Sequence, residues 1–507
     1  MRITITTSNE PERETTMRRK RIVCALPLVI FAVCIGGCGT GSVSADVRSV
    51  NEFLAAQDQA RHAPSISARS ARANPFPSGD EAADVESERK AVGSVLAKPM
   101  DAEAAVRLSL ILNHDLRASM LELGVSRGKT VQAGLLPNPT FELALRQQQD
   151  PSQNLQAEIG IEYDITDLVL LPLRKGVAVA ELGAERVRVA GEVLDTGYRA
   201  RIAFYEVQAR QAILDLRARS LSAFQAGFAA AEELHRVGNM ADMDWASHRA
   251  AVEASRIDVA EAENTLLDAR ERLNVAIGLS GEQTSYSIAG PLLPPTAVEP
   301  GDASTEERAV KSSFELNEIA ARMDVAAKRV GYSRSEGAMP KINGGFHGEH
   351  DGISWELGGH VTIGLPVFDR GQGRVISAES DLGALRERYI ATATALRSSV
   401  RMAQNRVESA GKRAIHYRDF LIPARERALA ETVLQYNAMQ LSVFQLLDAQ
   451  RRVTDTGVAY VETLLEYWKA RAALDQILAG RHRVVGFAAV SRSASPGMGS
   501  GEASGGH

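Results

Sequence analysis

The 507 residues leave room for roughly two to four ordinary domains, and 45% hydrophobic residues with only 5% aromatics favour helix-on-helix packing over aromatic-filled cores. A formal net charge of -5 gives no reason to expect a nucleic-acid partner. The three cysteines, Cys24, Cys34 and Cys38, all lie near the start, which excludes a disulfide framework or a zinc knuckle further along.

The chain opens on a targeting pattern. Met17-Arg18-Arg19-Lys20-Arg21 is a positive n-region, and Ile22 to Ile35 is an apolar run too short for a comfortable transmembrane helix. It ends in Ile35-Gly36-Gly37-Cys38, which resembles the lipobox of bacterial lipoproteins. That resemblance implies a signal peptide over residues 1–38, acylation (palmitate) at Cys38, and Cys38 as the new N-terminus. Gly39 is not aspartate, so the inner-membrane retention signal of such lipoproteins is missing, which points to the outer membrane. The start codon is Met1 or Met17, and a plain signal peptide with incidental cysteines is the alternative.

Residues 39–100 are poor in periodicity and read as an extended arm. Two copies of one plan follow, over 101–290 and 311–480, joined by a linker (291–310) that carries Pro294-Pro295. Leu136-Pro137-Asn138-Pro139 corresponds to Met339-Pro340-Lys341-Ile342, Glu181-Leu182-Gly183-Ala184 to Asp381-Leu382-Gly383-Ala384, and Val237-Gly238-Asn239-Met240 to Tyr436-Asn437-Ala438-Met439. Each copy reads helix, two strands, long helix, tight turn, helix. The Gly- and Ser-rich end (481–507) reads as a disordered tail, with His507 exposed rather than a ligand.

Within this plan the strands show alternation. Phe141, Leu143 and Leu145 alternate with Thr140, Glu142, Ala144 and Arg146; Leu155 to Tyr163 alternates likewise; and Trp355, Leu357, Val361 and Ile363 are set against Ser354, Glu356, His360 and Thr362. Ile342, Gly344 and Phe346 form a weaker fourth. Such strands suit a tilted barrel with apolar residues outward, or an ordinary sheet with one wet face. Four strands cannot close a barrel, and open edges are forbidden in lipid, so strands in a membrane require several chains to pool them.

The long helices carry heptad seams. From Arg370 to Tyr436 the positions Tyr389, Ala393, Leu396, Val400, Ala403, Val407, Ala410, Ala414, Tyr417, Leu421, Ala424 and Ala428 alternate four and three apart, predicting a single rod of about 100 Å. Trp245, Val252, Val259, Leu266 and Leu273 repeat every seven residues in the first copy, and Leu446, Val453, Tyr460, Tyr467 and Leu474 in the second.

Lipobox, duplicated plan, paired strands and rods, together with prolines at strand borders (Pro137, Pro139, Pro172, Pro340, Pro366), make residues 101–480 resemble the TolC family of outer-membrane efflux ducts, and most closely its lipid-anchored members. The resemblance implies a mainly α fold with a small β portion. It implies that long antiparallel coiled-coil helices form an α-barrel and that each chain gives four transmembrane strands to a twelve-stranded barrel in a homotrimer. It implies partners as well: outer-membrane lipid, a periplasmic adaptor and an inner-membrane pump. Carried over by residue, Gly238 and Asn437 mark the tip, Asp244 and Asp448 match carboxylates of its constriction, and Tyr436 matches the tyrosine of its gate. Leu441 stands where the family gate often has an arginine and Gln445 where a second ring aspartate would be, so the expected lock is incomplete.

No phosphate loop, nucleophile elbow or His-Glu-x-x-His motif occurs, so neither an enzyme nor a bound cofactor is expected. His347 and His350, placed in an external loop (347–351), and Met240, Met243 and Met439 at the tip are candidate contacts for soft or borderline metals. The exported species is therefore a metal ion or a small organic compound. The competing readings are a periplasmic adaptor, which predicts a single helical hairpin with lipoyl-like strands, and a structural coiled-coil lipoprotein without a channel.

Overall fold

The computed structural model describes residues 92–146, 156–295, 304–350 and 354–482, with Arg48, Val50 and Glu52 besides. Cys38, the 1–38 leader and the 483–507 tail lie outside the described residues. In chain order the elements are α1 (Ala102–Leu112), α2 (His114–Ala133), β1 (Thr140–Arg146), β2 (Gln156–Asp164), α3 (Ile165–Arg236) and α4 (Asp242–Ile277). After the linker come α5 (Ser304–Ser312), α6 (Phe314–Ala338), β3 (Lys341–His350), β4 (Trp355–Gly364), α7 (Gln372–His416), α8 (Ile422–Asn437) and α9 (Val443–Leu478).

The same local devices recur in both halves. Asn113 ends α1 and caps α2, accepting from the Leu116 amide at 3.0 Å; Ser313 caps α6, accepting from the Leu316 amide at 3.2 Å. Two left-handed glycines close the long hairpins, Gly278 (φ 93°) after α4 and Gly480 (φ 99°) after α9. Each lies against the end of a short helix. A Cβ on Gly278 would sit 2.6 Å from the Leu112 carbonyl oxygen, and one on Gly480 would fall on the Ser312 carbonyl.

The 72 residues of α3 make a rod of roughly 108 Å. It packs on α1, α2, α4, α6 and α9, while α7 packs on α5, α6 and α9. Alanine and β-branched residues fill the seams: Ala200, Ala203 and Val207 of α3 meet Leu266, Ala269 and Leu273 of α4 and Ala105 and Leu108 of α1. Leu396, Val400 and Ala403 of α7 meet Leu316 and Ile477. Most of the core sits at this level, where the short helices α1 and α5 brace the long ones. A buried ion pair ties it to the C-terminal end of α9. Arg481 donates to the Asp195 carboxylate at 2.9 Å and Gln476 donates to it at 2.7 Å.

Two expectations about the rods need correction. Pro172 does not border a strand; β2 runs directly into α3 through Asp164, which accepts from the Asp167 amide, and Pro172 lies inside the helix. The second rod is not one unbroken α-helix either. A π-turn at Tyr417–Leu421 separates α7 from α8. Pro423 has no amide hydrogen, and its ring crowds the carbonyl of residue 419, so the chain widens there before resuming. The widened turn lets Arg418 donate to the Pro295 carbonyl of the linker at 3.2 Å. Along the predicted seam Leu396 to Ala414 is buried, whereas Tyr389, Ala424 and Ala428 remain exposed on the single chain.

The strands form one antiparallel sheet in the order β1-β2-β3-β4. The fourth strand expected only weakly around Ile342 is the full β3, extending to His350. His347 and His350 therefore lie in a strand, not in an external loop.

Candidate functional site

Two regions concentrate functional geometry: the sheet and the pair of helical turns at the opposite end. In an antiparallel sheet, residues paired across strands share a face. One face carries Phe141, Leu143, Ile159, Ile161, Phe346, Leu357, Val361 and Ile363 in register, and these side chains are exposed, Leu357 to 87%. Trp355 and His350 meet at its rim with ring centroids 5.2 Å apart and planes tilted by 58°. The other face is polar. It presents Glu142, Glu158, Glu162, Asp164, Glu349 and Glu356 against Arg146 and Lys341 as fixed cations, with His347 and His360 between them. Among the described residues of this face Glu158 alone is paired with a cation, Arg146 at 3.2 Å, so the field of this face attracts cations. β1 and β4 each leave one edge unpaired among the described strands. A sheet greasy on one exposed side, charged on the other and open at both edges cannot be a finished structure in lipid.

His347 and His350, three residues apart on one strand, face opposite sides of the sheet, so they cannot hold one ion together. Among the described residues no group of three or more His, Cys, Asp or Glu could hold a metal.

At the far end, α3 turns into α4 through Gly238, which takes φ 81° while the Asn239 amide reaches back to the Leu234 carbonyl at 2.8 Å. The second turn uses Met439 instead, at φ 56° and 94% exposed, with the Gln440 amide on the Gln435 carbonyl at 2.9 Å. The structural counterpart of Gly238 is thus Met439, two residues beyond the sequence match to Asn437, which remains the last residue of α8. Tyr436 is half-buried in the last turn of α8. Gln445 closes a capping box with Ser442, which accounts for a glutamine at a position expected to carry a carboxylate. Asp448 is engaged by Arg452 of its own helix at 2.6 Å. Asp244 lies in the first turn of α4. No hydrogen bond or ion pair joins Asp244, Tyr436 and Asp448 to one another among the described residues.

The structure adds a cluster that the sequence reading missed. His235 meets Asp242 at 2.7 Å across the first turn and stacks on Trp245, over which Arg249 also lies. His248 is buried, 5% exposed, with an unpaired Nε2. Burial pushes its pKa below the usual imidazole value, partly offset by Asp244 one turn earlier. Trp245 was legible only as a heptad residue; the i, i+4 pairs Asp244/His248 and Trp245/Arg249 were the available signal.

Between α2, α3, α6 and α7 lies a concavity of 1010 Å³ lined by Arg174, Arg188, Arg329, Arg374 and Arg388 among others. Most of these are neutralised, Arg188 by Glu185 and Glu122, Arg329 by Glu181, Arg174 by Asp167 and Arg374 by Glu336. It is a wall braced by ion pairs.

Comparison with known proteins agrees with this architecture. Residues 105–279 match the family described as outer membrane efflux protein. The chain is 23% identical over 390 residues to the cobalt-zinc-cadmium resistance protein CzcC of Cupriavidus metallidurans, covering 75% of this chain and 90% of that one. Its fold is similar to that of the CmeC outer membrane channel of Campylobacter jejuni (TM-score 0.64, 13% identity, 75% of this chain and 86% of that one). It is also similar to the open-state MtrE outer membrane channel of Neisseria gonorrhoeae (TM-score 0.63, 16% identity, 75% and 90%). Residues 105–279 thus match the outer membrane efflux protein family, and the architecture as a whole shares the fold of solved outer-membrane channels.

Proposed function

We propose that three copies of this chain close a twelve-stranded barrel in the outer membrane and stand a helical tunnel in the periplasm. The tunnel passes divalent metal cations outward from a periplasmic adaptor and an inner-membrane pump. The observation that carries this reading is the open sheet. It supplies four strands where a closed barrel needs at least about eight, and its exposed apolar face and unpaired edges both need covering. Pooling strands from three chains satisfies every edge, β1 of one copy pairing with β4 of the next. The exposed Tyr389, Ala424 and Ala428 continue buried seams and suit contact with a neighbouring copy. The adaptor alternative expects one helical hairpin, against which stand the α3–α4 hairpin and its counterpart from α7, α8 and α9.

Metal as the cargo rests on the relative named for cobalt, zinc and cadmium resistance, and it fits the carboxylate-rich polar face. Asp244 and Asp448 would approach their symmetry mates at the constricted tip, with Tyr436 beside them and Met439 at its end. In a trimer they form rings that favour cations. Acylation at Cys38 would anchor the assembly in the outer membrane. Two measurements test the reading. Purified protein in planar bilayers should conduct ions. Cells lacking the chain should become more sensitive to zinc, cobalt or cadmium, with organic toxicants tolerated as before. Conductance with heightened sensitivity only to organic compounds would remove the metal assignment and leave the duct.

A further inference from the structure

On the polar face of the sheet, His347 of β3 and His360 of β4 occupy diagonal positions: His347 pairs with Gly358, and His360 pairs with Gly345. Each imidazole leans over the glycine opposite it. A Cβ on Gly358 would lie 3.3 Å from His347 Cε1, and one on Gly345 would lie 2.7 Å from His360 Cε1. The missing side chains let the rings swing across the strands towards each other, and their centroids are 5.6 Å apart at an interplanar angle of 58°. Neither ring forms a hydrogen bond among the described residues, so their nitrogens are available. Gly160, beside His347 on β2, keeps the third side of the space open.

We propose that His347 and His360 form a two-imidazole site for a borderline divalent cation such as zinc, one per chain, on the wall of the conduit. The inference rests on the reading above, in which the polar face lines the lumen, and names a residue pair at which the cargo pauses. A tetrahedral metal with Zn–N bonds of about 2.0–2.1 Å holds two imidazole centroids roughly 5 Å apart, close to the spacing already present. Imidazole is a ligand matched to such metals. Glu142 lies across Gly160 from His347, and Glu162 lies across Gly345 from His360, so the pair sits in a field that concentrates cations. With two protein ligands and water completing the shell, binding is weak enough to release, which passage requires. His350 faces the apolar side and cannot take part.

The test is calorimetric titration of the full-length, detergent-extracted protein with zinc chloride. The expected result is a zinc-binding component of one ion per chain that weakens at least tenfold in His347→Asn and in His360→Asn and is unchanged in His350→Asn. Should either asparagine variant fail to assemble, Gly358→Ala, whose methyl displaces the His347 ring, is expected to weaken the same component. Equal titrations for the wild type and these variants, or no zinc binding by the wild type, would overturn the site. Bilayer conductance of the same preparation separates the two levels: conduction with unaltered titrations removes the site alone, whereas zinc binding at this pair without conduction removes the duct reading and leaves the site.

Discussion

His248 shows how one side chain ties the tip to pH. Its pKa in the folded chain is lowered by burial. Above the unfolded imidazole value of about 6.5 it is neutral in both states and its packing contributes fully. As pH falls through that value the unfolded form takes the proton more readily, so stability is lost on acidification. Amide hydrogen exchange across residues 228–255, corrected for intrinsic rates, should therefore quicken between pH 7.5 and 5.5, and His248→Gln should flatten that change. Backbone handedness makes a second residue-scale demand. Gly480→Ala places a Cβ on the Ser312 carbonyl at a left-handed φ and is expected to cost at least about 2 kcal/mol in thermal unfolding, read by circular dichroism. Gly278→Ala should behave alike. At the buried pair, desolvation outweighs the pull of Arg481 and leaves the Asp195 carboxyl pushed up to about 6. None of these roles was legible beforehand, because a histidine or glycine in a helical run gives no sign of what another part of the chain presses against it.

At the scale of elements the sequence was most informative where its period was clean. Thr140–Arg146 was legible to the residue, since every second side chain there is apolar. β3 was read short because Gly344, Gly345 and Gly348 carry no side chain to display alternation, and because His-Gly-Glu-His resembles a polar loop. Pairing with both β2 and β4 holds it extended. The π-turn escaped notice since a heptad seam runs through Tyr417 and Leu421 regardless of how the backbone winds. The shifted match of the two tip turns has a similar origin: Asn437 looks better suited to a left-handed bend than Met439, yet helix length decides where the turn falls. The faces of the sheet give a sharp prediction. Val361→Arg, on the exposed apolar side, should cost about 2–4 kcal/mol of membrane-embedded stability. Thr362→Arg, one residue along on the polar side, should assemble normally. Heat resistance of the extracted oligomer on gel electrophoresis distinguishes them.

Across the whole molecule, the duplicated plan and the mismatch between four strands and a closed barrel say more than any single motif. The repeat places two long hairpins on one side of a sheet, so one chain builds a segment of wall rather than a vessel. In the proposed trimer, its uncovered apolar strands and exposed alanine seams would meet copies of themselves. What the sequence alone left open, metal or organic cargo, it left open because its histidines and methionines are scattered along the chain rather than gathered into a recognisable ligand set. The central claim is closure by three chains. Native mass spectrometry of the protein extracted from membranes in mild detergent tests it most directly. The account predicts particles containing three polypeptides, dissociating only when the sheet or seams are disrupted. A well-folded particle containing one chain, with Phe346, Leu357 and Val361 still protected from solvent labelling, would contradict it.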